Sequence, residues 1–335
     1  MMFSRGLSNG LSTGLSTPFQ HISRWLRRPL MTFSLLGLFG LVLMQGCADQ
    51  ELAAEAKTNA APIIYVLGDL HGDLNAAKTA MALTGATNTN GEWVGEGLTV
   101  VQTGDLIDRG PQDRAVLDWF RGLETEAKAH QSTLHLLNGN HEVMNVDGDF
   151  RYIHPDSMAE FADLVDSERS QQLGITDAPK AIQGRANAFA PGGLYAQQLA
   201  ERPVVLTLDG TVFVHGGILP THADYGLTQI NQDYADHLGE GKALPSLLHN
   251  KDGPLWTRAY SLPGAEADCK RLNQALEILK ADRMVVAHSV QPHINSACDG
   301  KVWRIDTGMS VAYQGRVEVL KLQGETATIL TPDSP

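Results

Sequence analysis

The chain has 335 residues, enough for one large domain or two small ones with a real core. Its 43% hydrophobic and 19% charged content belongs to a folded globular protein and excludes a disordered one. A formal net charge of −12 argues against nucleic acid as the main partner, because phosphate backbones are held by clustered Lys and Arg.

Residues 1–46 carry Arg5, Arg24, Arg27 and Arg28 and no acidic side chain. A basic segment ahead of the apolar run from Leu30 to Met44 has the layout of a secretory signal. The run is short for a membrane span, which needs roughly 20 apolar residues. It ends in Met44-Gln-Gly-Cys47, which resembles a bacterial lipobox with Cys47 as the lipidated residue. Met44 and Gln45 depart from the usual choices there, and an uncleaved N-terminal anchor is the alternative. Both readings place the folded part outside the cytoplasm, as a periplasmic or membrane-anchored lipoprotein. Residues 1–47 are then signal or anchor, 48–61 a small-residue tether, and 62–330 the folded domain. With Cys47 lipidated, Cys269 and Cys298 remain. They flank one helix–strand unit, and an oxidising compartment would pair them as a disulfide. Two separate buried thiols are the alternative.

Along the rest of the chain, short apolar runs lead repeatedly into polar, Gly-rich turns. Pro62 to Leu67 leads into Gly68-Asp-Leu-His-Gly72, and Leu98 to Thr103 into Gly104-Asp-Leu-Ile-Asp-Arg-Gly110. Thr133 to Leu137 leads into Asn138-Gly-Asn-His-Glu142. Val204 to Leu208 and Thr211 to Val214 bracket Asp209-Gly210, a hairpin turn, and end at His215-Gly-Gly217. Arg283 to Val286 leads into Ala287-His-Ser289, and Val302 to Ile305 into Asp306-Thr-Gly308. Helical stretches, such as Asp113 to Ala129 and Cys269 to Ala281, lie between several of these runs. Apolar strands alternating with helices predict a buried sheet of α/β type, with ligands beyond the strand ends. The segment from about 144 to 203 has helical periodicity and reads as an insertion or cap beside the site.

The polar residues at these strand ends have the composition of a two-metal centre. Such a centre holds two divalent cations roughly 3.5–4 Å apart through a shared oxygen ligand. Carboxylates offset the ionic charge, and imidazoles and a carboxamide complete the shells. Asp69 and His71 stand two apart on one loop, Asp105 opens the next as the natural bridging carboxylate, and Asn140 offers a carboxamide oxygen. His215 and His288 come from later strand ends.

In order and spacing, from about Ile63 to Asp306, these motifs resemble the phosphoprotein phosphatase branch of the calcineurin-like metallophosphoesterases. Leu-Trp-Thr-Arg258 and Val-Trp-Arg-Ile-Asp306-Thr-Gly-Met-Ser310 resemble the bacterial Shewanella-like protein phosphatases within it. The resemblance implies an α/β fold: a β-sandwich of mixed sheets flanked by helices, with a helical insertion. It implies two divalent metal ions, Mn, Fe or Zn, the first held by Asp69, His71 and Asp105 and the second by Asp105, Asn140, His215 and His288. A metal-bridging hydroxide would attack phosphorus. His141 would be the general acid, oriented by Asp108, and Arg109 would grip the phosphoryl oxygens. Arg258 is the candidate for a second phosphate clamp, with structural pairing as its alternative.

The substrate expected from the resemblance is a phosphorylated protein, with phosphotyrosine preferred. A small-molecule or nucleotide phosphoesterase, such as a dinucleoside polyphosphate hydrolase, is the alternative, and a non-catalytic metal-binding lipoprotein a remote one. A lone His at a strand end is more often structural than catalytic. His71, His141, His215 and His288 are set apart only by forming one ordered set. Asp108 and Arg109 have a surface ion pair as their bland reading. Arg151, Tyr152 and Arg185, in the cap, are further candidates for substrate contact.

Overall fold

The computed structural model describes residues 61–333. The signal or anchor over 1–47, the lipidation at Cys47 and the tether up to residue 60 lie outside them. In chain order the elements are β1 (Ile63–Leu67), α1 (Leu74–Leu83), β2 (Thr99–Gln102), α2 (Asp113–Ala129), β3 (Thr133–Leu136), α3 (Asn140–Val146), α4 (Pro155–Ala159), a 3-10 turn (Ala162–Leu164), α5 (Ser167–Gln172), α6 (Lys180–Phe189), α7 (Leu194–Ala200), β4 (Val205–Leu208), β5 (Thr211–Val214), α8 (Pro220–Tyr225), α9 (Leu227–Glu240), α10 (Cys269–Leu279), β6 (Arg283–Val286), β7 (Asn295–Ala297), β8 (Val302–Arg304), β9 (Val319–Gln323) and β10 (Thr326–Leu330).

The strands form the expected sandwich of two mixed sheets, five strands each, ordered β10-β9-β1-β2-β3 and β4-β5-β6-β8-β7. β1, β2 and β3 run parallel, as do β5, β6 and β8, and the remaining pairs are antiparallel. Side chains alternate between two cores, as a strand's period of two requires. Ile64, Val66, Val101 and Leu320 from the first sheet share one cluster with Phe213 and Val285 from the second, which is the filling of a sandwich. The alternate residues Leu67, Val100, Val212, Met284 and Val286 face the other way, into the core shared with the helices. Strands buried on both faces are continuous apolar runs, and β1, β2, β5 and β6 at the centres of the two sheets read so in sequence.

Between β3 and β4 every regular element is helical, from α3 to α7. This stretch docks on α2, where Arg114 N donates to Glu160 and Tyr195 Oη to Asp118 at 2.7 Å. The predicted hairpin is present, with Leu208 opposite Thr211 and both Asp209 and Gly210 at positive φ, as a tight two-residue turn demands. A disulfide joins Cys269 and Cys298. Among the described residues no helix is long and apolar enough to cross a membrane.

Candidate active site

The loops that follow β1, β2, β3, β5, β6 and β8 converge. In them His71, Asp105, Asp108, Arg109 and His288 hold left-handed backbone. Such a conformation costs a non-glycine residue on the order of 1 kcal/mol and is kept where it aims a side chain. Two of the loops touch backbone to backbone. A Cβ on Gly104 would strike the main chain of Gly139, and one on Gly139 would strike Asp105. Glu142 ties the same loops together, its buried carboxylate accepting from the amides of Asp105 (2.9 Å), Leu106 (2.8 Å) and Gly139 (2.7 Å).

All six residues named from sequence as metal ligands meet here, and all but His288 are deeply buried. Around His215 Nε2 lie Asn140 Oδ1 at 2.9 Å, His288 Nδ1 at 3.1 Å and Asp105 Oδ2 at 3.2 Å. His215 Nδ1 donates to the Thr103 carbonyl at 3.2 Å, so Nε2 carries a lone pair. His71 Nδ1 donates to the Ile107 carbonyl at 3.0 Å, which leaves its Nε2 facing Asp69 (3.7 Å) and Asp105 (3.8 Å). Main-chain carbonyls that orient the far nitrogen of a histidine are characteristic support for a metal ligand. Asp105 belongs to two groups of convergent donors, one with His71 and His141 and one with His215 and His288.

The electrostatics of this donor set fit divalent cations. Asp69, Asp105, Asp306 and Glu142 are buried together. Burial, then the neighbouring Asp306 and Asp105, push Asp69 well above the ordinary carboxylate range, and burial lifts Asp306 to about 6. Burial lowers His71 to about 4 and, with His215 and Arg258 nearby, holds His288 well below its usual value. Crowded carboxylates and neutral imidazoles are groups to which two cations would supply the missing positive charge. Donor atoms held by one cation at about 2.1 Å lie about 3.0–3.4 Å apart, close to the spacing around His215 Nε2.

His141 differs from the other histidines. Its Nδ1 sits 2.6 Å from Asp108 Oδ2, a buried carboxylate, rather than on a carbonyl. Burial disfavours its imidazolium, but the Asp105 and Asp108 carboxylates outweigh that and raise its pKa. It is thus the group suited to hold a proton. Arg109 does not pair with Asp108. Its guanidinium lies between the rings of Tyr152 (4.5 Å) and Tyr313 (5.2 Å), with Nη2 3.5 Å from His141 Nε2. Arg258 stands beside His288, its Nη1 donating to the His288 carbonyl (2.8 Å) and to Ser289 Oγ (2.7 Å).

Of the three cap residues, Tyr152 alone reaches the site, with its ring 5.3 Å from that of His141. Arg151 turns away to Asp149, and Arg185 is wholly buried against Asp108 and Asp113, so it has no access to substrate. The sequence reading did not single out Glu142, Asn145, Asp113, Tyr313 or the carboxylate of Asp306. For Glu142 the signal was present, since it completes Gly139-Asn-His-Glu142.

A model of the calcineurin-like phosphoesterase family matches residues 63–292. The chain is 30% identical to Shewanella-like protein phosphatase 2 of Arabidopsis thaliana, over 91% of this chain and 86% of that protein. It is 29% identical to Shewanella-like protein phosphatase 1 of Plasmodium berghei, over 74% of this chain and 67% of that one. In fold it is similar to a cold-active protein-tyrosine phosphatase of a psychrophilic Shewanella species, with a TM-score of 0.62 at 22% identity and 81% of each chain covered.

Proposed function

The chain belongs to the calcineurin-like phosphoesterases and is a metal-dependent phosphoric monoester hydrolase, and we propose that within that class it is a protein phosphatase acting on phosphotyrosine. The observation that carries the substrate reading is the pair of tyrosines at the mouth. Tyr152 and Tyr313 are 39% and 38% exposed, whereas Asp105 and His141 below them are 1% and 3% exposed. A phosphoryl group that must reach the buried donors past aromatic walls suits a phenyl ester, whose ring packs against those walls with about 0.5–1.5 kcal/mol per aromatic pair. The names of the relatives support a protein substrate.

In this reading Asp69, His71 and Asp105 would hold one metal ion, and Asp105, Asn140, His215 and His288 the other. When bound, the ions would lower the pKa of a coordinated water towards ~7 and offset phosphoryl charge. Arg109 grips the phosphoryl oxygens. Its guanidinium lies between two tyrosine rings and makes no ion pair among the described residues, which leaves its charge for substrate. His141 gives its proton to the leaving oxygen while Asp108 holds its other nitrogen. Arg258 is the second clamp, from the His288 side. The reading includes export, and an anchor at Cys47. The Cys269–Cys298 disulfide supports an oxidising compartment.

The test is metal analysis of the purified protein, then turnover of a phosphotyrosine peptide, a phosphoserine peptide and diadenosine tetraphosphate in parallel. The phosphotyrosine peptide is expected to be cut fastest, and Tyr152→Ala to erode that preference. Faster turnover of the dinucleotide would reject a protein substrate.

A further inference from the structure

Arg185, on α6, has no exposed surface, and every arm of its guanidinium is engaged. Nε donates to Asn145 Oδ1 at 2.9 Å, Nη1 to Ser157 Oγ at 3.2 Å, and Nη2 to Asp113 Oδ2 at 2.7 Å and Asp108 Oδ1 at 3.3 Å. The rings of Phe161 and Phe189 lie against it at 4.8 and 5.1 Å. Asn145 extends the network, donating from Nδ2 to Asp108 Oδ1 and to the His141 carbonyl, both at 2.9 Å. The Asp108 amide in turn donates to Asp113 Oδ1 at 2.9 Å.

The two oxygens of Asp108 therefore have separate duties. Oδ1 receives Arg185 and Asn145, and Oδ2 faces His141. A carboxylate held at one oxygen by an amide at 2.9 Å and a guanidinium nitrogen at 3.3 Å resists turning about its Cβ–Cγ bond, so the other oxygen keeps its aim. A buried guanidinium is retained only where carboxylates compensate it, and Asp108 and Asp113 do so here. Helix α6 thus reaches the reaction centre through one side chain that never meets substrate.

We propose that Arg185 is a positioning residue for the proton donor: with Asn145 it fixes Asp108 so that His141 presents its proton to the leaving oxygen. The inference rests on the reading of His141 as the acid, and its test separates the two. Protonation matters little for p-nitrophenyl phosphate, whose leaving phenoxide is weakly basic, and much for phenyl phosphate, whose leaving group resembles tyrosine. The ratio of kcat on the two esters is measured for the wild type and for His141→Gln, Arg185→Met, Arg185→Lys and Ser157→Ala, with thermal unfolding alongside.

General acid catalysis contributes about 10²–10⁴-fold, so His141→Gln is expected to lose at least about 10²-fold more on phenyl phosphate than on p-nitrophenyl phosphate. Arg185→Met is expected to lose about 10–100-fold more on phenyl phosphate, the range seen when a supporting residue behind a site group is removed. Arg185→Lys keeps the buried charge without the planar fork. It is expected to fold even where the Met variant does not, and to shift the ratio part of the way. Ser157→Ala removes the contact to Nη1 and a hydrogen bond to Asp113, leaves both bonds to Asp108 Oδ1 in place, and is expected to keep the wild-type ratio. Equal losses on both esters in the folded Arg185 variants, with a shifted ratio in His141→Gln, would make Arg185 merely structural and overturn the inference alone. An unshifted ratio in His141→Gln would remove the acid reading and this inference with it.

Discussion

Asp105 Oδ2 lies 3.2 Å from His215 Nε2 and 3.8 Å from His71 Nε2, while its Oδ1 accepts the His141 amide at 3.0 Å. One carboxylate thus stands between the two groups of donors. Burial opposes its ionisation, but the His215, His141 and His71 imidazoles together hold it well below the usual carboxylate range. An amide in its place keeps the shape and loses the charge that two cations would share. Asp105→Asn is expected to bind fewer than two metal ions per chain and to lose at least about 10²–10³-fold in turnover. Mass spectrometry of the native protein counts the ions, and kinetics with and without a chelator checks the rest. Two retained ions with full turnover would contradict the shared role.

Glu142 supports that carboxylate from behind. Three amides point at its two oxygens, from Asp105, Leu106 and Gly139. A glutamine there offers one acceptor oxygen, and its NH2 group meets an amide that also needs an acceptor. Hydrogen bonds to a charged acceptor contribute about 1.5–3 kcal/mol each. Glu142→Gln is expected to lower unfolding free energy by about 2–3 kcal/mol in urea titrations and to reduce turnover with it, because the displaced loops carry Asp105 and Asn140. Unchanged stability would mean that the amides find other partners.

The site residues were legible because each sits where an apolar strand stops, and a strand buried on both faces announces its own end. The pairing of the strands was less so. β9 and β10 alternate apolar with polar residues, Lys321 and Gln323 on one and Thr326 and Thr328 on the other, and were passed over although Gly324 marks the turn between them. β7, Asn295–Ala297, has no strand propensity and exists through its pairing with β8. β9 and β10 complete the edge of the first sheet and β7 that of the second, so it is the outer strands of the sandwich that no motif announces. Arg185 reads from sequence as a candidate for substrate contact, because its partners, Asp108 and Asp113, stand 77 and 72 residues away. Only the docking of the helical stretch brings them together, and no local pattern encodes that.

The disulfide closes a loop of 29 residues that contains α10 and β6 and leads past His288. Its loss frees that loop in the unfolded chain, which chain entropy puts at about 3–4 kcal/mol. Cys298→Ser is expected to lower stability by an amount of that order, read in urea, and reduction of the wild type to reproduce it. Turnover at a temperature where both proteins stay folded is expected to be nearly unchanged, since neither sulfur meets the site residues. A variant as stable as the wild type would show that the loop is already constrained by packing.

His222 gives a pH dependence with a definite sign. The Leu219 amide donates to its Nδ1 at 3.1 Å at the start of α8, so this nitrogen must carry a lone pair. Burial is the main cause that lowers its pKa to about 4, from an ordinary value of 6.5. Between those values the unfolded chain binds a proton that the folded chain refuses, so stability falls as pH drops from 6.5 towards 4 and is fully present above 6.5. At pH 5 the wild type is expected to have lost about 2 kcal/mol through this residue. His222→Asn keeps an acceptor near the Leu219 amide and cannot titrate. The stability difference between the two proteins, from urea unfolding at pH 7.5 and pH 5, is expected to shift in favour of the variant at the lower value. A difference that stays constant across that range would mean that folding leaves the His222 pKa unshifted, against the lone-pair contact with the Leu219 amide.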